Sequence, residues 1–330
     1  MAHEITATDN LFSTRKPTWH GMGHIFENYP TREEAQAVAH PWEPMEEPTF
    51  TRNLVATEDG IEDRFEELAD YKTIKRSDNN SVLGVVGRDY QYISNNELWD
   101  IAEALEQSSP DVMFETGGSL KGGSKVWLML KLQEPLEVPG DPNGATIPYY
   151  TLQNSHDGTG AFRGQATMTR IVCANTAHAA DLDAKARGTE FTFRHSKNVK
   201  DRIEQARQAV LAWRTGLTDL SEKYEFLLGL SAGYEEVAEF EDRYFPIDLG
   251  VMSDRQIANM QTVRDDWREV LESETNRAVR GTAYGMVQAT IEYAEHVRKA
   301  HTHETRFKRT YLDRNRIISD AVRIAEKVTA

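Results

Sequence analysis

Cysteine is nearly absent from this sequence, and long apolar runs are missing altogether. Cys173 is the only cysteine among 330 residues, so no disulfide can form within the chain. This usage is typical of proteins in a reducing compartment. No run approaches the roughly 18 apolar residues of a membrane-spanning helix. The beginning of the chain, MAHEITATDNLF, lacks the basic and apolar regions of a secretory signal. We therefore expect no membrane segment and no export signal.

The sequence also lacks the patterns that hold common cofactors. Neither a G-x-G-x-x-G nor a GxxxxGK(S/T) pattern occurs, so a nucleotide-binding phosphate loop is not predicted. The ten histidines are scattered, and the best pairs, His20 with His24 and His301 with His303, lie in polar stretches. Neither pair has the spacing of a strong metal site. We therefore expect no metal and no cofactor.

The net charge is −15, from 38 basic and 53 acidic residues, and it is unevenly distributed. Residues 161–215 contain ten basic and five acidic side chains, a net charge of +5, whereas the remainder of the chain carries −20. A basic region in an acidic protein is what a confined nucleic-acid groove requires. A solvated helix face with i,i+4 ion pairs explains the same pattern equally well. The predicted phosphate contacts are Arg163, Arg170, Lys185, Arg187, Arg194, Lys197 and Lys200.

Composition and periodicity divide the chain into three parts. Residues 1–60 are polar and rich in proline and aromatic residues. We interpret them as an ordered N-terminal arm in which Trp19 and Trp42 pack on the main body, because water-exposed tryptophans are costly. Residues 61–197 have mainly strand patterns, and residues 198–330 have helical ones. The predicted fold class is therefore α+β, an antiparallel sheet with packed helices followed by a helical C-terminal half.

Local signals place several of these elements. Residues 71–93 have the pattern of a β-hairpin, and Ser94 or Asn95 caps the helix that follows. A second strand pair is predicted at 111–115 and 125–132, where both strand faces are partly apolar. Further helices are predicted over 31–39, from 198 to about 234, from 253 onwards, over 280–299 and over 311–328.

The least generic stretch of the sequence is 148–196. Its polar turn, Asn154-Ser155-His156-Asp157-Gly158, consists mostly of residues that favour tight turns. A catalytic pair formed by His156 and Asp157 is the alternative interpretation. Adjacent residues of an extended chain point to opposite faces, so the two side chains are poorly placed to share one substrate. We therefore favour the structural turn.

Strands are predicted on both sides of a small-residue helix within this stretch, at 165–173 and at 189–195, with the helix over 174–186. The first turn of that helix would offer free N–H groups to a phosphate. Cys173 is either a nucleophile activated by the helix N-terminus or, more commonly for a lone cysteine, a small buried apolar residue. The residues expected to cap the helix are Asn175 or Thr176.

Several motifs together resemble the phage and plasmid proteins grouped as domain of unknown function 932. They are NSHDG at 154–158, RIVCANT at 170–176, FTFRHS at 191–196 and, later, GTAYG with EYAEH. The Trp19-His20-Gly21 arm and the Val85-Val86-Gly87 stretch before Tyr90 are also similar to that family. The resemblance covers nearly the whole chain. It implies a mobile-element origin and the cytoplasm of a bacterial host, but it supplies no activity and no catalytic residues.

A looser similarity connects the predicted order of strands and helix to the β-β-β-α core of phage single-strand annealing proteins. That similarity implies a homo-oligomer that holds single-stranded DNA in a basic groove during recombination or replication, without catalytic chemistry. It is an analogy of fold alone. Two alternatives stay open at this point. One is an acidic protein-interaction module that engages a host or phage protein, and the other is a hydrolase-like enzyme using His156, Asp157 and Cys173.

Overall fold

The protein has an α+β fold, as the sequence predicts. The computed structural model describes residues 10–14, 23–57, 60–107, 110–132, 137–142, 146–170, 175–178, 191–195, 208, 213–299 and 316–330. Two compact units divide the chain. The first unit consists of residues 1–130, 152–164 and 191–208, and the second consists of 131–151, 165–190 and 209–330. None of the described helices is both long and apolar enough to cross a membrane.

Two β-sheets contain all of the strands in the described part of the chain. The larger sheet has eight strands in the order β10-β9-β8-β7-β6-β1-β2, and β11 pairs with β9 beside this path. The smaller sheet has the order β3-β4-β5. The strands are β1 (Leu11–Thr14), β2 (His24–Phe26), β3 (Pro44–Thr57), β4 (Gly60–Arg76), β5 (Val82–Gly87), β6 (Val112–Leu120), β7 (Lys125–Leu132), β8 (Thr146–Ser155), β9 (Phe162–Arg170), β10 (Asn175–His178) and β11 (Phe191–Phe193).

Strand β1 joins the larger sheet between β6 and β2. It runs antiparallel to β6, with Leu11 opposite Gly118, and parallel to β2. A Cβ atom at Gly118 would lie 2.4 Å from the carbonyl oxygen of Asn10, and one at Gly117 would lie 2.5 Å from the side chain of Leu128. Only glycine permits so close an approach. Because β1 is parallel to β2 and antiparallel to β6, the sheet is mixed at this edge, where the sequence predicted an antiparallel sheet.

Most helices of the described residues begin within a few residues of the predicted position. The helix predicted from 198 to about 234 is an exception, since the described helix begins at Trp213 and ends at Gly229, and the helix Tyr234–Tyr244 that follows is not predicted by the sequence. In the first unit, α1 (Arg32–Ala39) begins after Thr31, which forms a capping box with Glu34, and α2 (Asn95–Gln107) begins after Ser94. The Ser94 hydroxyl accepts a hydrogen bond from the Glu97 amide at 3.1 Å, which satisfies one free amide of the first turn. The helices of the second unit are α3 (Trp213–Gly229), α4 (Tyr234–Tyr244), α5 (Asp254–Leu271), α6 (Ala283–Glu292), which continues into a π-helical turn (Tyr293–Val297), and α7 (Arg316–Thr329).

The predicted hairpin is confirmed, and it is longer than the sequence indicates. Strands β4 and β5 pair over Tyr71–Lys75, and a turn at 77–79 joins them. Strand β3 pairs with β4 along nearly its whole length, from Pro44 opposite Arg76 to Thr57 opposite Gly60. A two-stranded ribbon therefore extends beyond the end of β5, in residues that the sequence assigned to the N-terminal arm and the start of the core.

The helix predicted over 174–186 is wrong at its beginning. Residues Asn175–His178 form β10, which pairs antiparallel with Thr167–Arg170 of β9. Asn175 and Thr176 are therefore strand residues and not helix caps, so the proposed phosphate site at a helix N-terminus is absent there. The small residues of this stretch predict a helix, but pairing with the edge of β9 overrides their weak local preference for one. Residues 179–186 and Cys173 lie outside the described residues.

Aromatic packing forms the core of the second unit. The rings of Phe240 in α4 and Trp267 in α5 stack with centroids 5.3 Å apart, and the Trp267 indole donates to the Thr290 hydroxyl of α6 at 3.0 Å. Helix α6 itself is buried on every side. A Cβ atom at Gly285 would lie only 2.2 Å from the Val279 carbonyl oxygen. The small size of residue 285 therefore lets α6 pass close to the preceding turn.

The substitution Gly285→Ala should destabilise the protein, although alanine ordinarily stabilises a helix relative to glycine. We expect a loss of about 1–3 kcal/mol in the free energy of unfolding, since the turn must move away. The control is Gly229→Ala at the end of α3, where a Cβ meets nothing within 4 Å. This control should be neutral or stabilising by up to about 1 kcal/mol. Urea unfolding followed by circular dichroism measures both, and equal effects would contradict the packing of α6.

Candidate functional site: a buried motif cluster

The sequence motifs that are separated along the chain meet in the first unit. Tyr90 lies between two of them, because its hydroxyl donates to the Ser155 carbonyl at 2.7 Å and its ring stacks on His195 with centroids 4.8 Å apart. The NSHDG turn and the FTFRHS strand are thus both held by the loop that precedes α2. The motif cluster, as we call it, consists of Tyr90, Asn95, Asn154, His156 and His195.

Asn95 is the central hydrogen-bonding residue of the motif cluster. Its side-chain amide donates to the Trp42 carbonyl at 2.7 Å, its carbonyl oxygen lies 3.0 Å from Nε2 of His156, and its backbone amide donates to the Glu43 carboxylate at 2.9 Å. Because Nδ2 is the donor to Trp42, Oδ1 must be the acceptor for the histidine. His156 therefore carries its proton on Nε2. Asn95 is fully buried, so each of its hydrogen bonds is worth more than it would be in water.

His156 is a buried, neutral imidazole. The side chain is inaccessible to solvent, and burial lowers its pKa to about 3, with His195 as a further cause. With Nε2 protonated, Nδ1 presents a lone pair, and no donor among the described residues reaches it. The edge of the ring also contacts Trp42, with centroids 5.7 Å apart. This imidazole can accept a hydrogen bond near neutral pH, but it cannot donate a proton as a general acid.

His195 has a similar arrangement on the other side of Tyr90. Its Nδ1 lies 3.0 Å from the Gln91 carbonyl and therefore carries the proton, since a carbonyl only accepts. In return, the Gln91 amide donates to the His195 carbonyl at 3.4 Å. Burial lowers the pKa of His195 below its ordinary value. Its Nε2 atom has no hydrogen-bond partner in the part of the chain that the structure describes.

Asp157 closes the NSHDG turn on itself. Its carboxylate accepts hydrogen bonds from the Ser155 hydroxyl at 2.5 Å and from the amide and hydroxyl of Thr159 at 2.9 and 2.6 Å. Burial raises the pKa of Asp157, but these hydrogen bonds outweigh it, so the net shift is downward. Gly158 has a φ of +74°, which favours glycine. The geometry is that of a structural turn.

Strand β5 fixes the position of the turn from the other side. A Cβ atom at Gly84 would lie 2.6 Å from the Cα of Asp157, and one at Gly158 would lie 3.0 Å from the side chain of Val86. The Ser124 carbonyl also accepts from the His156 amide at 2.8 Å. The Val85-Val86-Gly87 stretch that contributed to the family resemblance therefore packs against the NSHDG motif.

The structure does not support a catalytic pair at this turn. His156 faces Asn95 and Trp42 inside the protein, whereas Asp157 bonds to its own turn and lies 4.0 Å from Nζ of Lys125. No hydrogen bond joins the two side chains in the described residues. Cys173, the third member of the hydrolase hypothesis, lies outside those residues. The described part of the chain also contains no group of three histidine, cysteine or acidic side chains arranged for a metal ion.

Two of the predicted phosphate contacts have described side chains, and both belong to the first unit. Arg163 in β9 lies directly opposite Thr192 in β11. Their neighbours Phe162 and Phe193 stack at 6.3 Å on the buried side, so Arg163 and Thr192 point to the other face. Arg194 follows β11 and is exposed. Arg170 ends β9, but its side chain lies outside the description, as do those of Asn175 and Thr176 and all of Lys185, Arg187, Lys197 and Lys200.

Sequence reasoning did not identify Trp42 and Tyr90 as partners of the motifs. Trp42 was expected to pack on the main body, and it is buried there, with the Arg76 guanidinium 4.5 Å above its ring. Asn95 was considered only as a helix cap. Its position beside a second asparagine and directly before an apolar stripe gave no sign of its bond to His156, because that contact crosses 61 residues.

A cleft of about 450 Å³ lies beside Trp42, and it is not suited to nucleic acid. Glu33 and Glu43 line it, and its lining in the described part of the chain contains no lysine or arginine. His40, which also lines it, has both ring nitrogens paired, with the Gly118 carbonyl at 2.8 Å and the Trp99 indole at 3.0 Å. Among the described residues, the cleft therefore has an acidic rim and no lysine or arginine for a phosphate.

The protein should lose stability on mild acidification because of its buried neutral histidines. Burial lowers the pKa of His156 to about 3 and that of His40 to about 4, so between about pH 6.5 and these values the unfolded chain binds protons that the folded protein cannot. Above about pH 6.5 these histidines are neutral in both states, and the free energy of unfolding is unaffected. It decreases as the pH falls below that value. At pH 5 the loss is about 2 kcal/mol for each residue.

Urea unfolding at pH 7 and pH 5 tests this expectation for the wild type and for His156→Gln. The variant should be less stable than the wild type at pH 7, because Gln must replace a bond inside the motif cluster. It should nevertheless lose roughly 2 kcal/mol less on acidification. An unchanged pH dependence in the variant would show that His156 titrates normally in the folded protein.

Comparison with known proteins agrees with the arrangement of these motifs. The model of a family described as Domain of unknown function (DUF932) matches residues 82–318, which include every member of the motif cluster. Neither the curated proteins nor the solved structures give a match to this chain. The family match covers more than two thirds of the sequence and confirms the resemblance that the motifs indicated. The chain belongs to the DUF932 family.

Proposed function

We propose that this protein binds single-stranded nucleic acid, in recombination or replication, without catalytic chemistry. The observation that carries the proposal is the segregation of charge: residues 161–215 carry +5 and the remaining chain carries −20. Affinity for nucleic acid depends mainly on neutralised phosphates. An acidic protein that retains one basic segment can therefore confine the strand to that segment and repel it elsewhere.

The position of Arg194 supports this proposal. The side chains on either side of it, Phe193 and His195, are buried, and His195 is held further by its bond to the Gln91 carbonyl. Arg194 is thus directed into solvent by two anchored neighbours. A pre-positioned cation loses less conformational freedom when it meets a phosphate.

Arg163 supplies a second cation in the same unit. The register of β9 with β11 puts it beside Thr192, and strand alternation puts Arg194 on the same face as Thr192. Guanidinium and hydroxyl groups are common phosphate contacts. Lys197 and Lys200 follow within six residues of Arg194 in the sequence, and they remain phosphate contacts that the sequence predicts.

The preference for a single strand rests on the similarity to phage single-strand annealing proteins, which stays a prediction.

The motif cluster has a supporting role in this proposal. Its buried histidines have lowered pKa values and are neutral near pH 7. In this proposal the hydrogen bond of His195 to the Gln91 carbonyl positions the segment that carries Arg194.

A second candidate is an acidic protein-interaction module that engages a host or phage protein. The ribbon formed by β3 and β4 favours it, because six acidic residues and only two basic ones lie between 50 and 67. The two candidates differ in their response to salt and to oligonucleotide, so one experiment separates them.

Charge reversal should weaken binding to a labelled single-stranded oligonucleotide. We expect Arg194→Glu combined with Lys197→Glu and Lys200→Glu to weaken binding by at least about tenfold at low salt, because three phosphate contacts are lost. For the wild type, the logarithm of the affinity should fall with the logarithm of salt concentration, with a slope of about −0.7 for each phosphate contact. Fluorescence anisotropy across a salt series measures both quantities.

The matched control reverses three exposed arginines of the second unit, Arg255, Arg277 and Arg280, to glutamate. It changes the net charge by the same amount, so a purely global electrostatic effect would appear equally in both variants. Retained affinity in the 194/197/200 variant would overturn the proposed interface. If the wild type binds no oligonucleotide even at low salt, the protein-interaction module becomes the better account.

A further inference from the structure

The ribbon formed by β3 and β4 has two chemically different faces. Residues directly opposite one another in an antiparallel pair lie on the same face. The register therefore puts Phe50, Leu54, Ile61 and Phe65 together on one face, which we call the apolar ribbon face. The other face is polar and carries Thr51, Asn53, Glu62, Arg64 and Glu66.

The apolar ribbon face is open to solvent. Its four large side chains are 52%, 67%, 75% and 67% exposed, in the order Phe50, Leu54, Ile61 and Phe65. Single exposed apolar residues are common on protein surfaces, but a contiguous group of them marks an interaction site. Beyond the end of β5, the residues that the structure describes form a ribbon of two strands. An isolated pair of strands is marginally stable in water, so packing of the apolar ribbon face against another surface would stabilise this part of the protein.

The charges at the centre of the apolar ribbon face select the kind of partner. Arg52 and Asp63 form a bidentate ion pair there, with distances of 2.7 and 2.9 Å, so the centre of the face has no net charge. Glu67, opposite Phe50, is a further charge on this face and lies at its end, whereas Glu62 and Glu66 lie on the opposite face. A basic partner would find its complement on that polar face, and a nucleic acid would be repelled. The apolar ribbon face suits an apolar surface with a neutral, charge-paired centre.

The same face on a second copy of the chain meets this requirement. A twofold dimer brings one surface patch against itself, so the patch must be self-complementary. In such a dimer the aromatic and aliphatic side chains of the two copies pack together. Arg52 of one protomer can also face Asp63 of the other at the centre, without like charges opposing each other.

We propose that the β3–β4 ribbon is a dimerisation arm that packs its apolar face against the same face of a second copy. Strands of eight residues give a face about 25 Å long, which is small for a stable interface. The dimer is therefore reversible, with a dissociation constant of micromolar order. The arm uses no residue of the motif cluster and no predicted phosphate contact, so the proposal does not depend on nucleic-acid binding.

Sedimentation velocity of the full chain between about 1 and 200 μM tests the arm, a range that brackets a micromolar dissociation constant. The wild type should change from the mass of one chain to that of two as the concentration rises. The double variant Phe50→Ser with Phe65→Ser should remain a monomer throughout. Both side chains are more than half exposed, so unchanged circular dichroism is expected. The control Val55→Ser alters the opposite face and should dimerise like the wild type.

Crosslinking at adjacent positions provides an independent test. Leu54→Cys and Val55→Cys, each in a Cys173→Ser background, put a thiol on the apolar face or on the polar face. A short bismaleimide should link the first variant into dimers and leave the second monomeric. Arg52→Asp should also prevent dimerisation, because each face then has two carboxylates at its centre. A wild type that stays monomeric overturns the proposal, as does a dimer that survives both Phe50→Ser/Phe65→Ser and Arg52→Asp.

Discussion

The side-chain amide of Asn95 connects parts of the chain that are far apart in sequence. It donates to the Trp42 carbonyl and accepts from His156, while its own backbone amide, at the start of α2, bonds to Glu43. An amide with one donor and one acceptor group imposes a direction on the network: it fixes which nitrogen of His156 carries the proton and leaves the other as a lone pair. The NSHDG turn, the beginning of α2 and the segment around Trp42 are thus all joined through hydrogen bonds of this one residue.

This arrangement separates the buried polar groups from the exposed charges of the first unit. The histidines of the motif cluster are neutral and enclosed, and Asp157 is bonded within its own turn. Arg194, in contrast, lies one residue away from a buried histidine and is open to solvent. The enclosed neutral His195 makes this segment rigid, and the exposed Arg194 gives it charge. Because the two residues are adjacent in the chain, the short FTFRHS motif has both properties.

Much of the helical structure could be predicted from local signals. The Thr31–Glu34 box and the stripe of Leu98, Ile101 and Leu105 predicted α1 and α2, because capping and 3.6-residue periodicity are properties of neighbouring residues. Strand pairing was harder. Asn175–His178 resembles a helix locally and becomes a strand only because β9 offers an edge. The apolar face of the ribbon was also missed, since it appears only when the two strands are put in register.

The candidate site was predictable as a set of motifs but not as an arrangement. NSHDG and FTFRHS stand out as unusual strings, yet nothing in either string indicates that Tyr90 joins them. Contacts over 61 to 104 residues, such as His156 with Asn95 and His195 with Gln91, leave no local pattern. The motifs therefore identify a set of residues in the sequence, and the fold shows which of these residues contact one another.

The pairing of β1 with β6 has a consequence for how the protein is made. Leu11 lies opposite Gly118, so β1 and its partner β2 can join the rest of the larger sheet only when residue 118, more than a hundred residues after Leu11, has left the ribosome. Contacts of such long sequence separation slow folding, and the free edge of the two short strands is exposed to the wrong neighbours in the meantime. The glycine pair at 117 and 118, which admits β1 so closely, therefore acts only after β6 has been made.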